Sequence, residues 1–388
     1  FPVWSGTVPL FGRISDHWTR LVDVFMTPLV WVINFPLLFI EGHQKRGFME
    51  NTFPALGVTN DLSSQLARNG MTLPTPIQAQ AIPIALAGGD LIGIAQTGTG
   101  KTLAFGVPLI QRLSGDHTRA LILLPTRELA EQVEASLMAI GKPFGLRTAL
   151  VMGGASLYRQ IQSLKHRPQV VIATPGRLVD HLDRGTISLN TINTLVLDEA
   201  DRMLDMGFAP QVNKILQALP INRQTLLFSA TMPATIVDLA AKYLRSPRTV
   251  AVSLTGATVD TVKQELHVVH QANKLNLLQT LLGESSGPVL VFTRTKHGAK
   301  KLCRLIEQHG ERTAEIHGNR SQSQRRQALA GFKSGRYRVL VATDVAARGI
   351  DVNDIALVVN YDLPEQTEDY VHRIGRTGRA GHQGHAIS

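Results

Sequence analysis

Apolar and polar residues follow one another in two kinds of block from Phe53 onward. Short runs that are almost wholly apolar are typical of strands buried on both faces, and the longer runs between them have the spacing of amphipathic helices. The apolar runs of the first half lie at residues 91–94, 120–124, 148–151, 170–173, 194–197 and 225–228. Strands that alternate with helices predict an α/β fold, in which helices cover both faces of a mostly parallel sheet.

The second half of the chain repeats this pattern. Residues 265–269 and 288–292 predict further strands, again separated by helical blocks. The stretch between the two halves has few large apolar side chains and is typical of a connector. Because 388 residues exceed what one core usually contains, we expect two domains, at residues 49–250 and 263–388, joined by a linker at 251–262. The chain stops within an expected last strand, HAIS, so we expect the second domain to be truncated at its carboxyl end.

The first 48 residues do not follow the pattern. Residues 21–40 form an apolar run as long as a membrane span, but the run contains Asp23 and two prolines, which destabilise a helix in lipid. The chain also starts with Phe1, and Met49 precedes the first expected element. Three interpretations stay open: an artefact of where the reading frame was opened, a natural extension that packs poorly, and a membrane anchor. The polar residues argue against the anchor, so we expect no membrane partner.

Charge indicates a polyanionic partner. The formal net charge of +10 favours nucleic acid or a membrane surface without deciding between them. The single cysteine, Cys303, excludes a disulfide framework and a cysteine metal site and is typical of a reducing compartment, so we expect a cytoplasmic protein. The thirteen histidines lack the spacing of metal ligands, and the only metal expected is therefore a magnesium ion carried by a nucleotide.

Residues 91–102, LIGIAQTGTGKT, combine an apolar strand, a loop of mostly small residues at 95–100 and the start of an expected helix. Backbone N–H groups of such a loop can surround polyphosphate oxygens, and the helix N-terminus adds its positive dipole end. Lys101 would then reach the β and γ phosphates, and the Thr102 hydroxyl would bind magnesium. Ala95 stands where the GxxxxGK[ST] pattern has glycine, so a glycine-rich turn that binds nothing stays an alternative.

The tetrapeptide DEAD follows another buried strand. Downstream of a phosphate loop, Asp198 is expected to orient magnesium through its water shell, and Glu199 to accept a proton from the attacking water. Ser229 and Thr231, which follow the next strand, carry hydroxyl groups that could bond Asp201 and report the nucleotide state. Without the phosphate loop upstream, the four residues of DEAD would be interpreted as a solvated turn.

Hydroxyl groups, arginines and bare glycines stand at the carboxyl ends of three further strands. That edge of an open α/β sheet is where ligands bind, and such groups can hold a phosphodiester backbone without identifying its bases. The candidates are Pro125, Thr126, Arg127, Gly153, Gly154, Thr174 and Arg177. Ordinary helix caps are the alternative. Gln78, in PTPIQ, offers the donor and acceptor needed to recognise an adenine edge, although a solvated cap would look the same.

Six motifs in order, PTPIQ, AQTGTGKT, PTRELA, TPGR, DEAD and SAT, resemble the first half of a DEAD-box RNA helicase of superfamily 2. The second half carries VFTRT, HGNRSQSQRR, VATDVAARGID and YVHRIGRTGR, which resemble the later motifs of the family. The whole set resembles the helicase core of the bacterial members. The resemblance covers about residues 53–388. It implies two tandem RecA-like domains, ATP and Mg²⁺ as cofactors, RNA bound through its backbone, and ATP hydrolysis coupled to local, non-processive separation of short RNA duplexes or remodelling of RNA–protein complexes.

The resemblance also implies roles for individual residues. The catalytic set would be Lys101, Asp198, Glu199, Arg373 and Arg376, with the two arginines pointing across the cleft at the γ-phosphate. The nucleotide contacts would be Phe53, Met71, Gln78, Ala95, Gln96, Thr97, Gly98, Thr99, Gly100, Lys101, Thr102, Gly349 and Asp351. Further RNA contacts would be Thr293, Arg294, Gln322, Arg325 and Thr343, and the coupling residues Asp201, Ser229, Thr231 and His372. Guanidinium groups neutralise charge on a transferred phosphoryl group, although a solvated or RNA-facing arginine patch is the alternative.

One residue departs from the family pattern. Met71 stands where the family usually has an aromatic side chain, so we expect weaker selectivity for adenine, although a thioether can still pack on a ring. Two other functions stay open: a nucleotide-gated RNA clamp with little unwinding, and a DNA-directed motor, which DEAD together with PTPIQ disfavours. Protein partners in ribonucleoproteins or in RNA decay are possible. The motifs do not specify which RNA is bound or which cellular process is served.

Overall fold

The computed structural model describes residues 52–96, 98–113, 119–252, 262–347, 355–365, 367–378 and 383–388. The predicted extension at 1–48, most of the predicted linker, and the expected nucleotide contacts Thr97, Gly349 and Asp351 lie outside the described residues. The described helices and strands form two α/β domains, one after the other along the chain.

The first domain contains seven strands and nine α-helices within the described residues. The strands are β1 (Leu91–Ile94), β2 (Ala120–Leu123), β3 (Thr148–Val151), β4 (Val170–Ala173), β5 (Thr194–Leu197), β6 (Gln224–Ser229) and β7 (Arg248–Ala251). The helices are α1 (Asn60–Arg68), α2 (Pro76–Leu86), α3 (Lys101–Leu113), α4 (Arg127–Gly141), α5 (Leu157–Lys165), α6 (Pro175–Asp183), α7 (Ala200–Asp205), α8 (Ala209–Ala218) and α9 (Ala234–Tyr243). All strand pairs are parallel, in the order β3-β4-β2-β5-β6-β1-β7.

The second domain repeats this architecture. Its described strands are β8 (Val262–Glu265), β9 (Val289–Phe292), β10 (Thr313–Ile316), β11 (Val339–Ala342), β12 (Leu357–Asn360) and β13 (Gly384–Ile387). Its described helices are α10 (Lys274–Glu284), α11 (Lys296–Gln308), α12 (Gln322–Lys333), α13 (Asp344–Ala347) and α14 (Thr367–Ile374). This sheet is also parallel, in the order β10-β11-β9-β12-β13-β8.

Both faces of each sheet are covered, which explains why the central strands β2, β4, β9 and β11 are apolar throughout. Successive side chains of a strand point to opposite faces. Leu121 therefore belongs to one buried cluster of the first domain and Ile122 to the other. In the second domain Leu290 and Val291 divide in the same way. Such strands lose contact with water on both sides, so a polar residue inside them would be unfavourable.

Most of the predicted strands are confirmed to within one residue, but the strand predicted at 265–269 is wrong. The strand runs instead over Val262–Glu265, where it pairs with Gly384–Ile387. Beyond it, Leu266 is 50% and Val268 is 91% exposed, so the apolar residues that suggested a strand are not buried in the sheet. The carboxyl-terminal strand pairs on both sides, with β12 and β8, and is therefore internal to the sheet.

The longest helix in the described part of the chain is α4, with 15 residues. A helix needs about 20 apolar residues to cross the hydrocarbon core of a bilayer. Accordingly, none of the described helices is both long and apolar enough to do so.

Because every strand pair is parallel, the carboxyl ends of the strands in each domain lie along one edge of its sheet. Apart from Phe53, Met71 and Gln78, which precede β1, the candidate residues of the first domain lie at or just after the ends of β1, β2, β3, β4, β5 and β6, so the fold brings them to a single edge. That edge is where open α/β sheets bind their ligands.

Candidate functional site

The phosphate loop, residues 95–100, joins the end of β1 to the start of α3. Gly100 has a φ of +95°, which residues with a side chain rarely adopt, and a Cβ there would lie 2.4 Å from Gln78 Nε2. Lys101 is buried, and its Nζ donates a hydrogen bond to the carbonyl of Ala95 at 2.9 Å. An ammonium group thus lies against the first residue of the loop, and the last residue has no room for a side chain, as is typical of a phosphate cradle.

Gln78 lies in the first turn of α2 and is only 3% exposed. Its Oε1 accepts a hydrogen bond from the backbone N–H of Thr75 at 3.0 Å, and its Nε2 donates to the carbonyl of Gly100 at 3.0 Å. The side chain thus caps α2 and also contacts the phosphate loop. Its burial shows that the interpretation as a solvated cap is wrong.

Phe53 is placed differently from the expectation. It was expected to contact the nucleotide, but it is 2% exposed and packs in the apolar cluster between the sheet and the helices. Met71 is partly buried and packs against the same cluster. A ring enclosed in the core has no face on which a base can stack, so Phe53 contributes to the apolar core of the first domain instead.

Two carboxylates lie directly after β5. Asp198 is 4% exposed, and burial raises its pKa to about 6, against the lowering effect of the Lys101 ammonium. Burial also disfavours the charge of Glu199, but Arg202, Lys101 and Arg376 outweigh it and hold the pKa of Glu199 below its usual value. Glu199 is therefore ionised at neutral pH. Asp198 is a desolvated carboxyl group, and a bound cation would favour its ionised form.

Glu199 has an unusual backbone and a fixed side chain. Its φ of 52° and ψ of 51° lie in the left-handed region, which is uncommon for a residue other than glycine. The backbone N–H of Glu199 donates to Asp198 Oδ1 at 3.0 Å, and its Oε2 lies 2.7 Å from Nη1 of Arg202. Backbone conformations of this kind are concentrated at functional sites, where the surrounding contacts enforce them.

Asp201 connects the DEAD turn to the residues after β6. Its Oδ2 accepts hydrogen bonds from the N–H of Ala230 at 3.1 Å and from both the N–H and the hydroxyl of Thr231 at 2.9 Å. Its own N–H donates to the Ser229 hydroxyl at 3.2 Å. These bonds outweigh burial and lower the pKa of Asp201. Asp201 thus links the DEAD turn to the SAT segment through hydrogen bonds.

Side chains of the second domain face the DEAD turn. Arg376 is 3% exposed, and its charge helps to lower the pKa of Glu199. Burial lowers the pKa of His372, and the nearby charge of Arg202 lowers it further. A narrow space between the domains is lined by Arg202, Phe292, Asp344, Asp369, His372, Arg373 and Arg376. The two expected half-sites, one from each domain, therefore meet.

Arg373 does not point at the phosphate loop, contrary to the expectation. Its Nε and Nη2 contact the two carboxylate oxygens of Asp344 at 2.5 and 2.7 Å. Its Nη1 donates to Asn360 Oδ1 at 3.1 Å and to the carbonyl of Asp362 at 2.6 Å, and its guanidinium lies over the ring of Phe292. Every guanidinium nitrogen of Arg373 is thus engaged within the second domain.

A groove of about 470 Å³ crosses from the first domain to the second, and we call it the interdomain groove. It is lined by Pro125, Thr126, Arg127, Glu128, Gly153, Gly154, Thr174, Gly176, Arg177, Asp180, Met206, Phe208, Gly318, Arg320 and Arg325. All seven candidates from the first domain and Arg325 from the second are among these residues. The structure therefore brings together candidates that are up to 200 positions apart in the sequence, Pro125 and Arg325.

The glycine pair in the groove has a steric reason. A Cβ at Gly154, whose φ is +77°, would lie 2.0 Å from Nη1 of Arg127. A side chain at Gly154 would therefore displace the Arg127 guanidinium and would also have to adopt a strained backbone conformation. Burial lowers the pKa of Arg127, and the charges of Arg325 and Arg177 lower it further. Guanidinium groups crowded in this way favour a polyanionic ligand.

The remaining candidates for RNA contact lie elsewhere. Thr293 and Thr343 are buried at the ends of β9 and β11. Arg294 lines a separate cavity of about 680 Å³ in the second domain. Gln322 contacts Glu131 of α4 across the domain boundary instead of lining the groove. These residues are not in the interdomain groove.

Two acidic residues of α4 bind the second domain. Glu128 Oε1 lies 3.1 Å from Nη2 of Arg325, and Glu131 Oε2 accepts a hydrogen bond from Nε of Arg326 at 2.7 Å. Gln322 and a second nitrogen of Arg326 converge on the other oxygen of Glu131. The two domains are thus held together beside the groove by polar and charged groups, of which Glu128, Glu131 and Arg326 are not among the residues predicted from the motifs.

Matches to two family models cover most of this chain. The model for the DEAD/DEAH box helicase matches residues 75–239, and that for the helicase conserved C-terminal domain matches residues 273–381. The DEAD-box ATP-dependent RNA helicase CshA of Bacillus licheniformis is 45% identical over 343 residues, which are 88% of this chain and 70% of the relative. This chain belongs to the DEAD-box family of ATP-dependent RNA helicases. The family and the RecA-like fold inferred from the motifs are confirmed.

Relatives and solved structures of the family extend beyond bacteria. The ATP-dependent rRNA helicase RRP3 of Candida albicans is 45% identical over 87% of this chain and 64% of its own length. Dbp5 of S. cerevisiae, solved bound to RNA and ADP BeF3, has a TM-score of 0.78 at 32% identity, covering 87% of this chain and 89% of Dbp5. A DEAD box protein of Methanococcus jannaschii is 40% identical, with coverages of 87% and 92%, yet has a TM-score of only 0.52. The DEAD-box domains here are therefore arranged similarly to those in the Dbp5 complex.

Proposed function

We propose that this DEAD-box protein is an RNA-stimulated ATPase that separates short RNA duplexes locally or remodels RNA–protein complexes. One observation supports this most strongly. Arg376 and His372 of the second domain face Glu199 and Asp201 of the first, and the interdomain groove crosses the same boundary. Binding of a ligand beside Glu199 or in the interdomain groove would therefore depend on the distance between the domains.

The nucleotide would lie against the phosphate loop. Lys101, which now donates to the Ala95 carbonyl at 2.9 Å, would turn its ammonium to the β and γ phosphates. The glycine-lined cradle and the desolvated carboxyl group of Asp198 fit Mg²⁺–ATP, and Thr102 with Asp198 would hold the ion. When bound, the ion would neutralise negative charge on the phosphate oxygens. Thr102 is the second residue of α3 and so stands beside the loop.

Glu199 and Arg376 would carry the chemistry. Because the pKa of Glu199 is lowered, its carboxylate is available at neutral pH to accept the proton of an attacking water. The guanidinium of Arg376 would neutralise charge that develops on the γ-phosphoryl oxygens. We assign Arg373 to a positioning role, because its bidentate pairing with Asp344 fixes the last turn of α14 just before Arg376.

RNA would bind in the interdomain groove through its phosphates. Hydroxyls, glycine backbone and guanidinium groups make contacts that do not depend on the base sequence. In this arrangement of the domains, Arg325 and the first-domain residues line one groove, so ATP and RNA should each favour closure and thereby each other's binding. A strand held by both domains would be bent relative to its partner strand, which explains local separation without movement along the duplex.

A strand-displacement assay with a short RNA duplex tests the proposed function. Unwinding that requires hydrolysable ATP supports the helicase. RNA-stimulated ATP turnover without displacement would indicate the nucleotide-gated clamp instead, and equal stimulation by single-stranded DNA would indicate the DNA-directed motor. The complex of Dbp5 with RNA and ADP BeF3 supports the choice of RNA.

We also propose that the protein works in the cytoplasm within ribonucleoprotein or RNA-decay complexes. The single cysteine, Cys303, is buried, and burial raises its pKa, so the thiol is kept in an unreactive form. This is compatible with a reducing compartment. Affinity purification of the full chain with and without ribonuclease treatment would test whether its partners are held through RNA.

Reversing the charge of Glu131 is expected to weaken closure. Arginine at this position would face Arg326, so Glu131→Arg should raise the RNA concentration needed for half-maximal ATPase stimulation by about fivefold, the effect of losing an ion pair worth about 1 kcal/mol. Arg326 is 59% exposed, so the effect should shrink with added salt. Steady-state ATPase titrations at two salt concentrations measure it.

The double variant Glu131→Arg with Arg326→Glu is the control. It restores opposite charges with their positions exchanged, and the half-maximal RNA concentration should return toward that of the unchanged chain. If the double variant is as impaired as the single one, the ion pair does not contribute to closure.

Selectivity for adenine is expected to depend on Met71. A phenylalanine there would present a flat ring to a base, so Met71→Phe should tighten ATP binding by about two- to fivefold with little effect on GTP, a gain within the range of an aromatic contact. Because Met71 already packs against the core cluster, the substitution has apolar support. Competition of ATP and GTP for a fluorescent nucleotide measures the preference, and an equal change for both nucleotides would contradict a contact to the base.

A further inference from the structure

A buried cluster in the second domain stands beside the interdomain groove. Glu315 lies on β10 with its side chain 5% exposed, and its Oε1 accepts a hydrogen bond from Nη2 of Arg320. His317 is 3% exposed, and its Nε2 lies 3.6 Å from the same oxygen. Among the described residues, Glu315 Oε2 and His317 Nε2 have no hydrogen-bond partner. We call these three residues the Glu315 cluster.

The ring of His317 is oriented from its other side. Its Nδ1 accepts a hydrogen bond from the backbone N–H of Asn319 at 3.2 Å, so in the neutral ring the proton is on Nε2 and faces the carboxylate of Glu315. Burial lowers the pKa of His317, and Arg320 and Lys300 lower it further while Glu315 opposes them. The ring is therefore neutral at pH 7. The one positive group in the cluster that can balance the Glu315 charge is Arg320.

Arg320 also reaches the groove. Its side chain is 37% exposed, and it lines the groove from the second domain together with Gly318 and Arg325. The first domain contributes Arg127 and Arg177 to the same groove. An arginine on a flexible stem loses conformational entropy when it binds, and a carboxylate that already fixes one of its nitrogens reduces that loss.

We propose that Arg320 is a further RNA-binding residue of this helicase, positioned by Glu315 to contact a phosphate of the strand in the interdomain groove. The inference rests on the proposed function, since it assigns another residue to the same RNA site. Arg320 belongs to the second domain, so its contact adds to the groove only when the domains are closed. It should therefore strengthen RNA binding chiefly in the presence of nucleotide.

The test measures binding of a fluorescent single-stranded RNA to the full chain with a non-hydrolysable ATP analogue, over a range of salt concentrations. Arg320→Gln should weaken binding by about tenfold, as expected for one charged hydrogen bond. The slope of log K against log salt should become shallower by about 0.7, the value for one phosphate contact to a single strand. Nucleotide binding without RNA should be unchanged.

Controls separate this contact from general effects. Arg304→Gln removes the same charge from an exposed position on α11, away from the groove, and should leave both affinity and slope unchanged. Because Arg320→Gln leaves the buried carboxylate of Glu315 without its partner, the double variant Glu315→Gln with Arg320→Gln provides a version without that unpaired charge. It should show the same affinity and slope as Arg320→Gln, together with a normal thermal melting curve.

The positioning role of Glu315 is tested by a double-mutant cycle. Glu315→Gln alone should weaken RNA binding severalfold, but it should have no further effect in the Arg320→Gln background. Additive effects, or tighter binding by Glu315→Gln, would contradict positioning. Unchanged affinity and slope in both Arg320 variants would overturn the RNA contact while leaving the proposed function intact. If the unchanged chain failed to bind RNA with nucleotide, the proposed function would fail and this inference with it.

Discussion

Glu199→Gln is expected to lower RNA-stimulated ATP turnover by at least about 100-fold, the contribution typical of a general base. The glutamine has the same shape and can still accept a hydrogen bond from Arg202, which lies 2.7 Å from the carboxylate oxygen. It cannot take a proton from water. ATP binding should remain within about twofold of the unchanged chain, because Lys101 and the phosphate loop are untouched.

Phosphate release under saturating RNA measures turnover, and displacement of a fluorescent nucleotide measures binding. Glu307→Gln, a change at an exposed position of α11, is the matched control and should have no effect. Since the substitution also leaves Arg202 without a charged partner in a buried place, thermal melting of the variant must be compared. Normal turnover by a folded Glu199→Gln variant would show that another group accepts the proton. If hydrolysis reopens the domains, as the proposed function implies, a variant that binds ATP but hydrolyses it slowly should also retain RNA longer.

The fold was largely predictable because both sheets are parallel. Strands buried on both faces are mostly apolar, so Val170–Ala173 and Thr194–Leu197 are located from their apolar runs alone. The strand at Val262–Glu265 was not, because VKQE has only one large apolar residue and lies at the edge of its sheet. Edge strands are partly exposed, and their sequences need not differ from those of loops.

The first-domain part of the site was predictable for the same topological reason. The carboxyl ends of parallel strands lie at the same edge of a sheet, whatever the order of the strands within it. Residues that follow those ends, such as Arg127 and Thr174, therefore had to lie along one edge. Arg202 was missed, although its spacing of three residues from Glu199 on a helix would have suggested an ion pair.

Contacts between the domains could not be predicted from either half. Gln322 and Arg325 are three residues apart near the start of α12, yet one binds Glu131 and the other lines the groove beside Glu128. Which side chain faces which partner depends on how the two domains are placed, and no local pattern encodes that placement. The proposed role of Arg320 could not be predicted either, because Arg320 and the distant residue Arg127 line the same groove only as a result of the domain placement.

The two arginines at the end of the second domain, Arg373 and Arg376, are expected to have separate roles. Arg376→Ala should lower RNA-stimulated hydrolysis by about 1000-fold, the lower range for an arginine that stabilises a phosphoryl transition state, and should leave ATP binding nearly unchanged. Arg373→Ala should instead destabilise the second domain by about 3–5 kcal/mol, because it breaks a buried ion pair with Asp344. Chemical denaturation with fluorescence detection distinguishes a loss of catalysis from a loss of stability.

Lysine variants make the comparison sharper. Arg376→Lys keeps a positive charge near Glu199 and should recover part of the lost activity, since a point charge still attracts phosphoryl oxygens. Arg373→Lys cannot reproduce the bidentate contact to Asp344 together with the bonds to Asn360 and Asp362, so it should recover little stability. Equal loss of ATP binding and hydrolysis in Arg376→Ala would assign that residue a structural role. Loss of hydrolysis at full stability in Arg373→Ala would mean that its guanidinium leaves Asp344 for the nucleotide during turnover.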